Sequence, residues 1–163
     1  MKIIKWLDEN FELYVLYIAL TIISVTMMTQ VVLRYIFASP LSWAEEFTRY
    51  AFVWSAFVGI SYSIKKGIMI NVDMVVNKLG EKAQNIINIL IQIFVLVFFL
   101  FLFYHSIEVV KGIFASNQKS PAMGIPMGYV YLSSLVGFLL SSVRTFQNVL
   151  KMIKDSKSTE SVA

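Results

Sequence analysis

The sequence predicts an all-α integral membrane protein with four transmembrane helices, and three observations support this prediction. Of the 163 residues, 58% are hydrophobic, and the mean hydropathy is +0.71. Only 15% are charged, whereas soluble domains usually carry more charge. Four apolar stretches long enough to cross a bilayer alternate with short polar segments. We therefore expect a single membrane domain over residues 1–163, with spans at about 13–35, 42–64, 83–110 and 127–150.

The first span follows a short charged N-terminal segment. The apolar run from Leu13 to Leu33 ends at Arg34 and Tyr35, residue types that favour the membrane interface. The run is too long for the apolar region of a signal peptide, and it lacks a small-residue cleavage pattern. We therefore expect a retained transmembrane helix.

The second span opens with a helix-start pattern and a charged cluster. Ser42 is well placed as an N-cap, and Glu45 three residues later completes a capping box. Glu45 and Glu46 favour the positive end of the helix dipole, and Arg49 can pair with both on one face. No charge follows until Lys65. Capping with headgroup contact and docking of a partner are compatible roles for this cluster.

Small residues recur at every fourth position in the second and fourth spans. This spacing lets a neighbouring helix approach closely in lipid, so we expect both ribbons to mark the tight contacts of the bundle. Trp54 lies too deep for an interfacial aromatic belt, and we expect it to pack between helices. The two ribbons are Ala51, Ser55, Gly59 and Ser63, and Ser133, Gly137 and Ser141.

The segment between the second and third spans predicts a short interfacial helix at about 71–79. Its apolar residues fall at helical spacing, and Asp73 lies elsewhere on the wheel. Gly67 and Gly80 punctuate its ends. In the third span, Gln84, Asn88 and Gln92 form a polar line that favours hydrogen bonding between helices over lining a path. The polar, Ser-rich residues 151–163 predict a frayed tail.

The distribution of Lys and Arg predicts the orientation of the chain. Cytoplasmic segments of membrane proteins carry an excess of these residues. Ten of the 14 lie at the N-terminus, in the middle loop or in the C-terminal segment, and only Arg34, Arg49, Lys111 and Lys119 lie elsewhere. We therefore expect both termini and the middle loop to be cytoplasmic, with residues 34–49 and 108–127 on the opposite side.

The residue types present favour a scaffold over an enzyme or a carrier. The chain has no Cys and a single His, which excludes disulfides, thiol catalysis and His-rich metal sites. No charged residue lies near the centre of a span, where coupled carriers usually place one. His105 and Glu108 fit an interfacial pair better than a proton relay. The basic residues form no stripe for nucleic acid. We expect no catalytic residue, cofactor or metal.

Several segments resemble one family of membrane proteins. The run Trp43-Ala44-Glu45-Glu46-Phe47-Thr48-Arg49-Tyr50, followed by Phe52-Val53-Trp54 and Gly59, resembles the signature of DctQ-type small subunits of tripartite ATP-independent periplasmic (TRAP) transporters. Residues 67–73 are similar to the family's Gly-x-His-Ile-x-Val-Asp element, with Met69 in place of His. Residues 120–126 are similar to the loop before the last family helix. The resemblance covers nearly the whole chain.

The resemblance implies a small non-catalytic subunit in the bacterial inner membrane. It implies a stable heterodimer with a large sodium-coupled subunit, transient contact with a periplasmic substrate-binding protein, lipid contact, and uptake of sialic acid or a C4-dicarboxylate. A self-contained homodimeric four-helix exporter is the alternative, and an intramembrane enzyme using His105 and Glu108 ranks last. The candidate partner-contact or structural residues are Trp43, Glu45, Glu46, Arg49, Tyr50, Trp54, Ser55, Gly59, Asp73, Ser133, Gly137 and Ser141.

Overall fold

The computed structural model describes residues 2–67 and 81–160. Within these ranges the chain forms four helices, which are α1 (Lys2–Tyr35), α2 (Ala44–Lys65), α3 (Glu81–Ala115) and α4 (Gly128–Glu160). The described ranges contain no strand, only an isolated antiparallel bridge between Lys119 and Pro126. The predicted all-α class is confirmed. The predicted interfacial helix at 71–79, with Asp73, lies outside the described residues, as does Met69.

Three of the helices in the described ranges are long and apolar enough to cross a membrane. These stretches are Asn10–Tyr35 of α1, Ile86–Ala115 of α3 and Gly128–Lys154 of α4. Helix α2 is not among them, because its 22 residues include two glutamates and an arginine near its start and several hydroxyl-bearing residues. Its length, roughly 33 Å at 1.5 Å per residue, nevertheless matches a bilayer core. That α2 crosses the membrane stays a prediction.

Two helices extend beyond the spans expected from the sequence. Helix α1 begins at Lys2 rather than near residue 13, and α4 continues to Glu160. The expectation that the tail frays from residue 151 is therefore wrong as far as residue 160. Helix α2 ends as the sequence indicates. Gly67 has a left-handed φ of 69°, and its N–H bonds to the carbonyl oxygen of Ile64 at 3.0 Å, which is a common way to end a helix.

The helices pack as an open row. Helix α1 packs against α2, α2 against α4, and α4 against α3. The spatial order is therefore α1–α2–α4–α3, with α1 and α3 as the outer helices. Both outer helices expose large apolar side chains, such as Met28 (65% exposed) on α1 and Phe94 (73%) on α3. In a membrane such faces meet either acyl chains or another protein.

Candidate functional site

The start of α2 differs from the predicted capping box. Trp43 occupies the N-cap position with helical dihedral angles (φ −85°, ψ −19°), and no side chain caps the helix. Ser42 is exposed and is not the cap. The capping-box prediction is wrong because the Glu45 carboxylate is drawn instead to α1. Trp43 is 42% exposed, and its ring lies edge-on to Phe47 with 6.1 Å between the ring centroids.

Glu46 holds the loop that joins α3 to α4. Its Oε2 accepts hydrogen bonds from the backbone N–H groups of Ala122 (2.8 Å) and Met123 (2.9 Å). The Tyr50 hydroxyl, one turn along α2, donates to the Oε1 of Glu46 and also contacts the sulfur of Met127 at 3.3 Å. The carboxylate is largely buried. A charged acceptor bonded to two backbone donors fixes a loop more firmly than neutral contacts do.

The loop itself is a compact turn. The N–H of Ser120 bonds to the carbonyl of Ile125 at 2.8 Å, and the N–H of Gly124 bonds back to Ser120 at 3.0 Å. Gly124 has a φ of 69°, a conformation that glycine adopts without steric cost. The two N–H groups bound by Glu46 therefore lie at the tip of a loop that is also closed by its own hydrogen bonds.

Glu45 binds in the opposite direction, to α1. Its Oε1 accepts hydrogen bonds from the Nη2 of Arg34 at 2.7 Å and from the Nε2 of Gln30 at 3.1 Å. Within the described ranges, Arg49 makes no ion pair or hydrogen bond. The predicted three-residue pairing of Glu45, Glu46 and Arg49 on one face is therefore wrong, because each carboxylate meets a better-placed donor on a neighbouring segment.

The small residues of α2 are not the site of closest helix contact. A β-carbon placed on Gly59 meets only the Cδ2 of Leu16, at the ordinary contact distance of 3.9 Å. Ser55 donates to the carbonyl of Phe52 on its own helix at 2.7 Å. The expectation that this ribbon marks a tight contact is wrong at Gly59. Trp54 is half-buried and lines a cavity between α1, α2 and the start of α4, as expected for a residue between helices.

The second ribbon, on α4, does mark the tight contact. A β-carbon on Gly137 falls 2.6 Å from the Cβ of Phe57 and 3.0 Å from its carbonyl oxygen, so α2 and α4 meet almost backbone to backbone. Ser133 and Ser141, one turn away on either side, are 1% and 0% exposed. The close approach therefore lies at Gly137, with two buried serines one turn away on the same helix.

A buried ion cluster at the other end of the molecule was missed in the sequence. Glu12 of α1 is fully buried and bonds to the Nε of Arg144 of α4 at 2.5 Å and to the Nζ of Lys65 of α2 at 3.2 Å. Arg144 also donates to Gln147 at 2.8 Å. The cluster joins three helices. The only sequence signal was that all three charged residues flank apolar runs on the same predicted side of the membrane.

Charged side chains thus form two layers, one near each end of the helices. Glu12 and Arg34 are roughly 33 Å apart along α1, and Glu46 and Lys65 are roughly 28 Å apart along α2, at 1.5 Å per residue. Both spacings match the thickness of a bilayer core, about 30 Å. The two separations agree to within about 5 Å, although α2 is less apolar than α1.

The structure does not bring the remaining polar candidates together into a reactive or metal-binding group. His105 lies 3.9 Å from Glu108, and both side chains are at least half exposed at the helix end, as expected for an interfacial pair. In the polar line of α3, the Oε1 of Gln92 is buried without a hydrogen-bond partner. Across the part of the chain that the structure describes, no three His, Cys, Asp or Glu residues are grouped so that they could hold a metal ion.

The comparisons with known proteins all indicate the same family. Residues 23–155 match the DctQ component of tripartite ATP-independent periplasmic transporters. A Haemophilus influenzae protein assigned as a TRAP transporter small permease protein is 33% identical over 160 residues, covering 98% of this chain and 93% of that protein.

Two further relatives carry substrate names. The ectoine TRAP transporter small permease protein TeaB of Halomonas elongata is 22% identical over 148 residues, covering 91% of this chain and 77% of that protein. The isethionate TRAP transporter permease protein DctMQ of Oleidesulfovibrio alaskensis is 28% identical over 166 residues, covering 98% of this chain but 26% of that protein. A match over four-fifths of the chain and a relative one-third identical over nearly all of it place this chain in the DctQ family of TRAP transporter components.

Proposed function

We propose that the chain is the small, non-catalytic subunit that braces the large sodium-coupled subunit of a TRAP transporter. The observation that supports this proposal is the open row of helices. Charged clusters connect neighbouring helices at both ends of the helices, and apolar faces remain uncovered on both outer helices. A row whose helices are connected at both of their ends leaves an apolar surface on α1 and α3 open to a partner. Such a surface suits a static support for a moving partner.

The longer isethionate relative supports pairing with a large membrane subunit. Nearly all of this chain aligns with about a quarter of that permease protein. A stretch that is part of a longer permease in one organism is expected to lie against the remainder of that permease. In a separate chain, the same surface then forms an interface between subunits.

We propose that the loop between α3 and α4 contributes to docking a periplasmic substrate-binding protein. Glu46 bonds to two backbone N–H groups at its tip, so the loop is held in one conformation before any partner arrives. A surface that is already ordered loses less conformational entropy on binding. In this proposal the loop faces the periplasm, α2 crosses the bacterial inner membrane, and both termini are cytoplasmic.

The transported substrate in this proposal is an organic acid, with sialic acid and a C4-dicarboxylate as the two expectations. Matches to the sialic acid permease protein SiaT (34% identical over 79 residues) and to a C4-dicarboxylate small permease protein (27% over 119 residues) support this class. Substrate contacts are assigned to the partner subunits, because the charged side chains of the described helices are engaged in end layers or lie at helix ends.

The test is an affinity purification of the tagged chain from its own membranes in mild detergent. We expect a large polytopic protein to copurify at one-to-one stoichiometry. Photo-crosslinking residues placed at Met28 on α1 and at Phe94 on α3 then report which outer face the partner covers. Val58, which is 4% exposed, is the matched buried control and is expected to give no crosslink between chains. A chain that purifies alone, or crosslinks only to its own copies, would contradict the proposal and favour a homodimeric exporter.

A further inference from the structure

A groove of about 570 Å³ runs along α4 between α2 and α3. It exists because α2 and α3 both flank α4 in the row without packing against each other. Its walls are apolar and include Val53, Phe57, Leu102, Val109, Val130 and Phe138. Along α2 it extends from Arg49 to Phe57, roughly 12 Å at 1.5 Å per residue.

The serines that line the groove offer it no free donor. The hydroxyls of Ser106, Ser133 and Ser134 each donate to the backbone carbonyl three residues earlier on their own helix, at 2.6–2.8 Å. These hydroxyl groups therefore donate within the helices and are not available as donors to an occupant of the groove. The length of the groove therefore behaves as an apolar surface, and its polar character is concentrated at the end where Arg49 lies.

Arg49 supplies a positive charge at that end. Its guanidinium makes no ion pair or hydrogen bond in the described ranges, and it lies near the start of α2, within reach of the headgroup layer. None of the residues that line this groove is acidic. Arg49 also borders a second groove, between α1 and α2, whose other two charged lining residues, Arg34 and Glu45, are paired with each other at 2.7 Å.

The lining of the groove favours a lipid as its occupant. The groove offers an apolar length with Arg49 at one end, and none of its lining residues is acidic. An occupant with an anionic head and an apolar body matches both features.

We propose that this groove binds an anionic phospholipid, with the phosphate at Arg49 and an acyl chain along Val53, Phe57 and Phe138. A guanidinium matches the geometry of a phosphate with two parallel hydrogen bonds. The lipid fills the space between α2 and α3 that the row leaves open. It thereby stabilises the relative position of these two helices, which do not pack on each other.

The test measures lipid bound to the protein purified in mild detergent with whatever subunits remain attached. Native mass spectrometry during titration with phosphatidylglycerol, and in parallel with phosphatidylcholine, gives the bound fraction. We expect preferential binding of phosphatidylglycerol. Arg49→Gln is expected to lower its apparent affinity roughly tenfold, the scale of losing a charge-assisted contact. Arg49→Lys is expected to retain most of the binding, because the charge is kept.

Two further variants separate the site from a general charge effect. Lys111→Gln removes an exposed cation of α3 that does not line the groove, and we expect no change in lipid binding. Ser134→Trp fills the groove and is expected to displace both lipids. Equal phosphatidylglycerol binding by Arg49→Gln and Lys111→Gln would overturn the proposal. So would a Ser134→Trp protein that loses its large partner subunit but keeps its lipid, since the groove would then be a protein interface.

Discussion

At the scale of single residues, two adjacent glutamates fasten α2 to two different neighbours. Glu45 bonds to Arg34 and Gln30 of α1, whereas Glu46 bonds to the loop before α4. Consecutive residues of a helix point about 100° apart, so neighbouring carboxylates naturally serve different partners. The pair thus explains why two acidic residues in succession, rather than one, suit the start of this helix.

The first residue-scale prediction concerns the backbone amides held by Glu46. Glu46→Gln removes the charge that accepts both N–H groups, so we expect faster hydrogen exchange at Ala122 and Met123. Glu45→Gln is the matched control, because it removes the same charge one residue away and should leave these two amides unchanged. Equal exchange rates in both variants would show that the loop is held by its own internal hydrogen bonds.

The second residue-scale prediction concerns the buried ion cluster of Glu12, Lys65 and Arg144. Glu12→Gln leaves Arg144 buried beside a neutral partner, and breaking a buried pair from one side costs on the order of 3 kcal/mol of stability. We expect a clear loss of thermal stability in detergent, measured by tryptophan fluorescence or light scattering. The double variant Glu12→Leu with Arg144→Met is expected to recover most of the loss, since the more deeply buried cation is removed and the remaining one, Lys65, is 19% exposed.

Glu108→Gln is the control for this measurement. Its carboxylate is 71% exposed beside His105, and exposed pairs contribute about 0–1 kcal/mol. If Glu12→Gln and Glu108→Gln unfold at the same temperature, the Glu12 cluster contributes no more than a surface pair.

Sequence reasoning located the charged residues of the site but not their partners. The motif around Glu45 and Glu46 was identified because both residues stand together at a helix start. Their partners Arg34 and Ala122 are separated from them by a turn or by a complete helix, and helical spacing carries no information about such contacts. Glu12 and Arg144 are 132 positions apart, so only the tertiary structure pairs them.

At the scale of helices, the contact between α2 and α4 depends on one glycine. Gly137 allows the backbone of Phe57 to approach, and the Phe57 ring packs edge-on against Phe138 with 5.4 Å between centroids. Both ribbons have the same sequence spacing, yet of their two glycines only Gly137 faces a backbone. A small-xxx-small pattern therefore predicts where a close approach is allowed, while the facing residue decides whether it occurs.

The prediction at this scale compares two alanine substitutions. Gly137→Ala places a methyl group 2.6 Å from the Cβ of Phe57 and 3.0 Å from its backbone, so we expect a loss of about 1–3 kcal/mol. Gly59→Ala meets only Leu16 at 3.9 Å and replaces a flexible residue in a helix, which favours stability by about 0.5–1 kcal/mol. Thermal unfolding in detergent measures both. Comparable losses in the two variants would contradict the assignment of the tight contact to Gly137.

The elements themselves were largely predictable, because apolar runs and glycine positions define helices locally. The predicted helix bounds differ most from the observed ones at the N-terminus of α1 and at the C-terminal end of α4. There, polar residues continue a helix beyond its apolar part. The order α1–α2–α4–α3 was not predictable. It depends on which helix faces fit each other, and in lipid hydrophobicity does not distinguish one apolar face from another.

At the scale of the whole molecule, the two charged layers predict how the chain lies in a bilayer. The layers are separated by roughly 28–33 Å along α1 and α2, about one bilayer core. Placing both layers at the membrane surfaces avoids burying ions in hydrocarbon, which is costly. In this arrangement we expect α2 to cross the membrane together with α1, even though α2 is not among the described helices that are apolar enough by composition to do so.

The last prediction tests that arrangement directly. The chain contains no Cys, so a single introduced cysteine reports one position without background. Ser39 and Lys66 flank α2 and are both exposed. If α2 crosses, an impermeant maleimide should label Ser39→Cys in intact spheroplasts, but Lys66→Cys only after permeabilisation.

Asn117→Cys and Lys154→Cys provide the same comparison for α4 and calibrate the assay. We expect Asn117→Cys to behave like Ser39→Cys, and Lys154→Cys to behave like Lys66→Cys. Labelling of Ser39→Cys and Lys66→Cys from the same side would mean that α2 does not cross. The Glu12 cluster would then have to hold Lys65 and Arg144 together across the membrane, which their 3.2 Å and 2.5 Å contacts with one carboxylate do not allow. A labelling pattern in which α2 does not cross would therefore contradict these contacts.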